Sequence, residues 1–388
     1  MNDKQGIGFS LKDHLFNEEK VQFLANLFNV VDDNFEAGSF VRDVMKQLLQ
    51  LELKARIVHI ATVLENYLAH DFRVAAKQIV AALPQPLDPA LTDDDFGDFI
   101  FAPLGAFVVR NGLAKKHLPT SLKTLKEITQ RFSMEDAIRT FINTHPDETL
   151  TELARWSTDS NYHVRRLVSE GTRPLLPWSG RISIDVATPV SFLETLHTHP
   201  TRYVTRSVAN HLNDIAKAQP EIVLDALRRW KQLGKQHPSE LQWITKYALR
   251  TLVKRGHPQA LQLLGFSAIP KIEVTEFAIN TPQIQPGDAI EFSFNVTALQ
   301  NESMVIDYVV EFVKANATLS PKVHKLKQLS LKKGESAVVS KRHVLRANAT
   351  TYSLYPGTHY VTLQINGQPF GRLPFALLPA KLLPRGQK

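Results

Sequence analysis

At 388 residues, with 43% apolar and 22% charged side chains, the chain is long enough for two or three units that each bury a core. Cysteine is absent, which excludes disulfides, thiolate nucleophiles and zinc–cysteine sites together; no helical HExxH pair offers another cage, so neither a metal nor a cofactor is expected. The formal charge of +8 and a pI near 9.4 point to an anionic partner, and no apolar run is long enough to span a bilayer.

The N-terminus, from Met1 to Leu15, mixes Asp, Lys and Gly where a secretion signal needs an apolar run, so a cytoplasmic location is expected. Beyond it, apolar residues recur at three- and four-residue spacing, as in Val21 to Phe28 and Leu48 to Leu53, which predicts amphipathic helices. A weak repeat runs through this part. The segments Val164 to Val168, Val204 to Val208 and Ile244 to Ala248 lie forty residues apart, and His-Pro pairs precede each at 145–146, 199–200 and 237–238. That period suits HEAT-like helix pairs, which stack into a solenoid because neither helix can bury its apolar face alone. The repeat aligns Arg166, Arg206 and Lys246. Three cations at equivalent places can follow a phosphate backbone, or they can be solvated helix residues.

The segment from Trp156 to Trp178 is the densest in chemistry. Asp159 and Asn161 read as turn or capping residues, and a helix runs from about His163 until Gly171 and Pro174 end it. On that helix Arg166 and Glu170 are four apart and share a face, and Arg173 lies seven from Arg166. The plain reading is an intrahelical ion pair. The repeat equivalents of Glu170, however, are Asn210 and Arg250, so its charge departs from the repeat and suggests a local task. Trp156 and Trp178 bracket the helix: each is either core or an aromatic face that contacts a sugar or a cation.

Composition shifts near Phe266 to Pro270. Short alternating segments follow at Ile272 to Phe277, Ile290 to Val296, Tyr308 to Val313, Val338 to Leu345 and His359 to Ile365, with Pro-Gly and Asn-Gly punctuation between them. The expected architecture is therefore α then β: a helical HEAT-like repeat solenoid over residues 1–268 and an all-β, immunoglobulin-like sandwich over 269–388. From Pro270 to Lys388 there are 14 Lys and Arg against 8 Asp and Glu, so the shorter part carries most of the positive field.

The run His163-Val-Arg-Arg-Leu-Val-Ser-Glu-Gly-Thr-Arg-Pro-Leu-Leu-Pro-Trp178 closely resembles the signature of the AlkC branch of HEAT-like-repeat DNA glycosylases. The resemblance extends to Leu51 through Arg56 and to Ile128 through Arg139, covers most of residues 10–265, and continues in Tyr355 to Tyr360 and Gln364 to Gly367, which look like the immunoglobulin-like domain some members carry. It implies excision of small cationic lesions, such as N3-methyladenine and N3-methylcytosine, from double-stranded DNA without turning the nucleotide into a deep pocket. A base that already carries positive charge leaves readily, so the barrier lies in the oxocarbenium-like sugar and in delivering water; a fixed carboxylate serves both needs. Glu170 is the first candidate for that carboxylate, and Glu135, in the family's second acidic motif, is the next. Arg165, Arg166 and Arg173 are then expected at phosphates, with Arg206 and Asn210 extending the surface and Trp178 and Trp156 as aromatic contacts.

In the β part, Lys341, Arg342 and Arg346 sit at one end of a predicted strand, where a loop could press them against the duplex. Lys322, Lys325, Lys327, Lys332 and Lys333 form a second basic stretch, read as a solubilising loop or a further contact. No lysine is implied as a Schiff-base nucleophile, so base removal alone is expected, by a monomer. Two rivals stay open: a non-enzymatic HEAT-repeat DNA-binding scaffold, and an enzyme acting on free nucleosides.

Overall fold

The computed structural model describes residues 10–88, 90, 96–347, 349 and 352–380; the first nine residues, included above in the signal-sequence reading, lie outside them. The chain divides into two compact units, one of residues 1–218 and 229–248 and the other of 219–228 and 249–388.

The first unit is helical. Its elements are α1 (Leu11–Leu15), α2 (Glu18–Val31), α3 (Ala37–Met45), α4 (Leu53–Leu64), α5 (Phe72–Ala82), α6 (Ala102–Gly112), α7 (Leu118–Thr129) and α8 (Glu135–Thr144). There follow α9 (Pro146–Trp156), α10 (Tyr162–Gly171), α11 (Val190–Leu196) and α12 (Arg202–Ala216). Next come α13 (Pro220–Leu233), whose residues are divided between the units, and α14 (Pro238–Ala248). None of the described helices is long and apolar enough to cross a membrane.

The forty-residue spacing is realised in space: α12 packs between α10 and α14. The prolines of two His-Pro pairs, Pro146 and Pro238, open α9 and α14, where a missing N–H costs nothing. The fork of Arg202 on α12 closes on Glu240 of α14, with Nη2 to Oε2 at 2.5 Å and Nε to Oε1 at 2.9 Å. Trp156 is buried and donates from its indole to Glu152 Oε1 at 2.9 Å, so it is a core residue of α9 and not the aromatic contact expected of it.

The second unit contains α15 (Arg250–Lys254) and α16 (Pro258–Leu263), followed, among the described residues, by eight strands. These are β1 (Ile272–Ile279), β2 (Gln283–Ile284), β3 (Ala289–Ala298), β4 (Glu302–Val313), β5 (Leu319–Leu331), β6 (Ser336–Val344), β7 (Gly357–Ile365) and β8 (Gln368–Leu377). They form one sheet in the order β1-β3-β6 and another in the order β2-β8-β7-β4-β5. Alternate residues of both meet in one core that includes Phe292, Phe294, Ile306, Val310, Val361 and Phe375. Lys322, Lys325 and Lys327, grouped above with a loop, lie instead on β5, an edge strand. Lysines there discourage pairing with another chain.

The Asn366-Gly367 turn between β7 and β8 has both residues at positive φ, 49° and 78°, as a two-residue hairpin requires. It receives the preceding helices closely. A Cβ on Gly367 would lie 2.0 Å from the Gly256 Cα, the Gln364 amide donates to the Lys254 carbonyl at 3.2 Å, and the Asn366 amide to the Ser267 carbonyl at 2.8 Å. Thus the strands begin at Ile272, but the packing unit that holds them takes in residues 219–228 and resumes at Leu249.

Candidate active site

The site is built on α10. Asn161 caps this helix, its side-chain oxygen accepting from the His163 N–H at 2.8 Å, an interaction worth about 1 kcal/mol. One turn of spacing then puts Arg166 and Glu170 on one face, as expected, and Arg173 follows where the helix has ended. All three are buried.

Arg166 is shared by two carboxylates. Its Nη1 donates to Glu135 Oε2 at 2.6 Å, and its Nη2 lies 3.8 Å from Glu170 Oε1. The same Nη1 is 2.6 Å from the Ser133 hydroxyl, which in turn donates to Glu135. Phe96 and Tyr203 cover the guanidinium, its carbon lying 5.1 and 4.9 Å from their ring centres. Burial alone would make the cation harder to hold, but Glu135 and Glu170 outweigh it and raise the Arg166 pKa.

Glu170 has both oxygens engaged. Arg173 Nη1 donates to Oε1 at 2.5 Å, and the Ser207 hydroxyl, from α12, donates to Oε2 at 2.5 Å. Burial would raise this carboxyl; Arg166, Arg173 and the Ser207 hydrogen bond together hold it below the ordinary glutamate range, so it is an anion at neutral pH. Arg173 continues the chain of charges to Asp214, with Nη2 to Oδ2 at 2.9 Å, and Lys217 closes it at 2.9 Å from Asp214 Oδ1. Beneath them His211, fully buried, gives its Nδ1 hydrogen to the Ser169 carbonyl at 2.9 Å. Burial, helped by the nearby Arg173 charge, pushes His211 down to about 4. It is therefore a neutral support.

Glu135 is the more open of the two acids, its side chain 26% exposed against 7% for Glu170. It begins α8, where the helix dipole favours an anion. Arg139, one turn further on, shapes the loop after α10: its Nη1 donates to the Gly171 and Arg173 carbonyls at 3.0 and 2.7 Å and its Nε to Gly180 at 2.7 Å. Trp178 stands on that loop, 80% exposed and with a backbone φ of 69°, and Lys54 donates to its carbonyl. A bulky residue in the left-handed region is a strained conformation, of the kind concentrated at binding sites. An exposed tryptophan has lost the burial that normally stabilises it.

Several expected roles need correction. Arg166 and Arg173 cannot reach a phosphate from where they lie, because both forks are already turned onto Glu135, Glu170 and Asp214. Arg165 is half-buried and bound to the turn before α10: it donates to the Asp159 carbonyl, to the Ser160 carbonyl at 3.0 Å, and to His199 Nε2 at 2.5 Å. Arg166 is buried, Arg206 half-buried and Lys246 exposed, so the three aligned cations are not one exposed row. Arg206 and Asn210 occupy one face of α12 at half-burial. In the β unit, Arg342 is exposed beside Glu291 at 3.3 Å, Lys341 is half-buried on β6, and Arg346 is exposed just beyond it.

Ser133, Ser207, Tyr203, Asp214 and Phe96 belong to the site but not to the expectation. Ser207 had one signal, a small hydroxyl at the repeat position that holds Leu167 and Tyr247.

Residues 273–379 match the family described as the C-terminal Ig-like domain of the uncharacterised protein YhaZ. The chain is 31% identical over 365 residues to the uncharacterised protein YhaZ of Bacillus subtilis (strain 168), covering 93% of this chain and 98% of that one. It also superposes, with a TM-score of 0.84 and 31% identity, on the Pseudomonas fluorescens alkylpurine DNA glycosylase AlkC bound to DNA containing an abasic site analogue, covering 95% of this chain and all of that one.

Proposed function

We propose, from the premise that this chain belongs to the family of YhaZ and the AlkC-type glycosylases with a C-terminal immunoglobulin-like domain, that it removes alkylated bases from duplex DNA. The observation that carries the reading is the pair Glu135 and Glu170 held by one buried guanidinium, Arg166. Two fixed anions, with an exposed aromatic, Trp178, on the loop that follows α10, suit a reaction whose transition state carries positive charge on a sugar.

In the proposed hydrolysis the bond between C1′ and the base nitrogen breaks, and its electron pair neutralises the departing cationic base. Water adds to C1′, and its proton passes to a carboxylate or to solvent, leaving free base and an abasic site. The more exposed Glu135 faces the water and the sugar. Glu170, with both oxygens occupied, supplies the field that keeps the site negative and fixes Arg166. The substrates are small cationic lesions, N3-methyladenine and N3-methylcytosine, because their leaving ability removes the need for a strong general acid. No strand cleavage is expected, since the lysine amine of this cluster, Lys217, is bound to Asp214 at 2.9 Å. Trp178, Arg206 and Asn210 contact the duplex from the helical unit, and Lys341, Arg342 and Arg346 do so from the β unit.

The test is release of methylated base from a duplex treated with a small methylating agent. Native protein should free N3-methyladenine, and Glu135→Gln and Glu170→Gln should each lose release while retaining duplex binding. Binding without release by the native protein would leave a DNA-binding scaffold as the better account.

A further inference from the structure

The β unit carries a cleft that, Arg346 apart, the proposed hydrolysis does not use. It opens beside the turn between β4 and β5, the adjoining ends of β5 and β6, and residues 352–355, and encloses about 800 Å³. Sites for small ligands span about 300–1,000 Å³.

Two kinds of side chain line it. Phe312 and Tyr352 form an aromatic wall, their ring centres 6.3 Å apart. Lys314, Lys322 and Arg346 bring three cations, with Lys322 Nζ 5.4 Å from the Tyr352 ring centre, and no carboxylate is among the described residues that line the cleft. At its inner end Tyr308 Oη lies 2.7 Å from His343 Nδ1, and the His324 ring stacks on Tyr308 and meets His343 edge-on at 4.6 Å. The Nε2 atom of His324 is buried with no hydrogen-bond partner among the described residues. Burial, with His343 and Lys322 beside it, pushes His324 down to about 4, so at neutral pH it offers an uncharged hydrogen-bonding group.

A bare inorganic anion would use the cations and leave the aromatic wall idle; an apolar ligand would do the reverse. A planar ring joined to a phosphate uses both, with stacking on an aromatic and charge-assisted bonds to Lys and Arg. We propose that this cleft binds a nucleoside monophosphate, its phosphate on Lys322 and Arg346 and its base against Tyr352 and Phe312. The occupant is either a free nucleotide or the terminal nucleotide of a strand, which share this chemistry. The proposal does not depend on whether the chain removes bases.

The experiment is calorimetric titration of the full chain with deoxyadenosine 5′-monophosphate, alongside inorganic phosphate and deoxyadenosine. The nucleotide should bind more tightly than either part, and affinity should fall about 10-fold in Tyr352→Ala and in Lys322→Ala. Both side chains are exposed, and unfolding midpoints matching the native protein would verify that the sandwich is intact. Glu170→Gln, altered in the other unit, should bind the nucleotide as the native protein does. Displacement by a 5′-phosphorylated single strand would assign the cleft to strand ends, and failure to displace would assign it to free nucleotide; either supports the site. Nucleotide binding no tighter than inorganic phosphate, or binding unchanged in both variants, would overturn it.

Discussion

Arg173 is the pivot of the helical site, and its role can be measured without any assay of function. It is buried, with Nη1 2.5 Å from Glu170 and Nη2 2.9 Å from Asp214. Glu170→Gln or Asp214→Asn alone removes one charged partner and leaves the other, a loss of about 1.5–3 kcal/mol. The double variant leaves a buried guanidinium with neither carboxylate, and stranding one member of a buried pair costs about 3–5 kcal/mol. The double loss should therefore differ from the sum of the single losses by about 0.5–3 kcal/mol. Urea unfolding of the four proteins, followed by far-ultraviolet circular dichroism, reads the difference directly. Adding Arg173→Met to the double variant should restore stability, because no unpaired charge then remains inside. Losses that add to within about 0.5 kcal/mol would refute the shared-cation arrangement.

The two site-bracketing tryptophans should behave in opposite ways. Trp156→Ala empties a core position and should cost about 3–5 kcal/mol by chemical unfolding. Trp178→Ala should change stability by no more than about 0.5 kcal/mol, while weakening binding to an alkylated duplex by about 10-fold in a fluorescence titration; unchanged affinity would remove Trp178 from the proposed interface. A pH dependence follows from His211, whose value of about 4 lies below its ordinary 6.5. The fold favours the neutral ring and the unfolded chain takes up the proton first, so this contribution is complete above pH 6.5 and is lost as pH falls towards 4. It amounts to about 3 kcal/mol, and His211→Gln should flatten the corresponding fall in unfolding midpoint between pH 6.5 and 4.5. An identical slope in the variant would show that His211 is not held neutral by the fold.

Much of α10 could be read directly. Asn161 as cap, Gly171 near the end and a four-residue Arg166–Glu170 spacing are local signals, and the structure realises each. What surrounds them is not local. Glu135 comes from the start of α8 and Ser133 from just before it, Ser207 and Asp214 from α12, and only helix stacking brings them within hydrogen-bond reach. For the same reason the arginines point to phosphates when read alone: a sequence displays their charge but not the carboxylates, such as Glu135 and Asp214, that neutralise it from other helices. The strands divide along similar lines. β3 alternates cleanly and β4 does so until its register shifts at Ile306–Asp307, whereas Pro369, Gly371 and Pro374 interrupt β8 and the lysines of β5 disguise an edge strand as a loop.

The contact between Gly256 and Gly367 decides where this molecule can be divided. A fragment beginning at residue 269 would take the β7–β8 hairpin without the Ser267 carbonyl that receives the Asn366 amide, or the helical turn whose Lys254 carbonyl receives Gln364. Asn366 is 1% exposed, so the fragment would uncover a group shaped for the interior. Any recombination that transplants the sandwich must carry α15 and α16 with it, and the heritable module is therefore longer than the run of strands that identifies it.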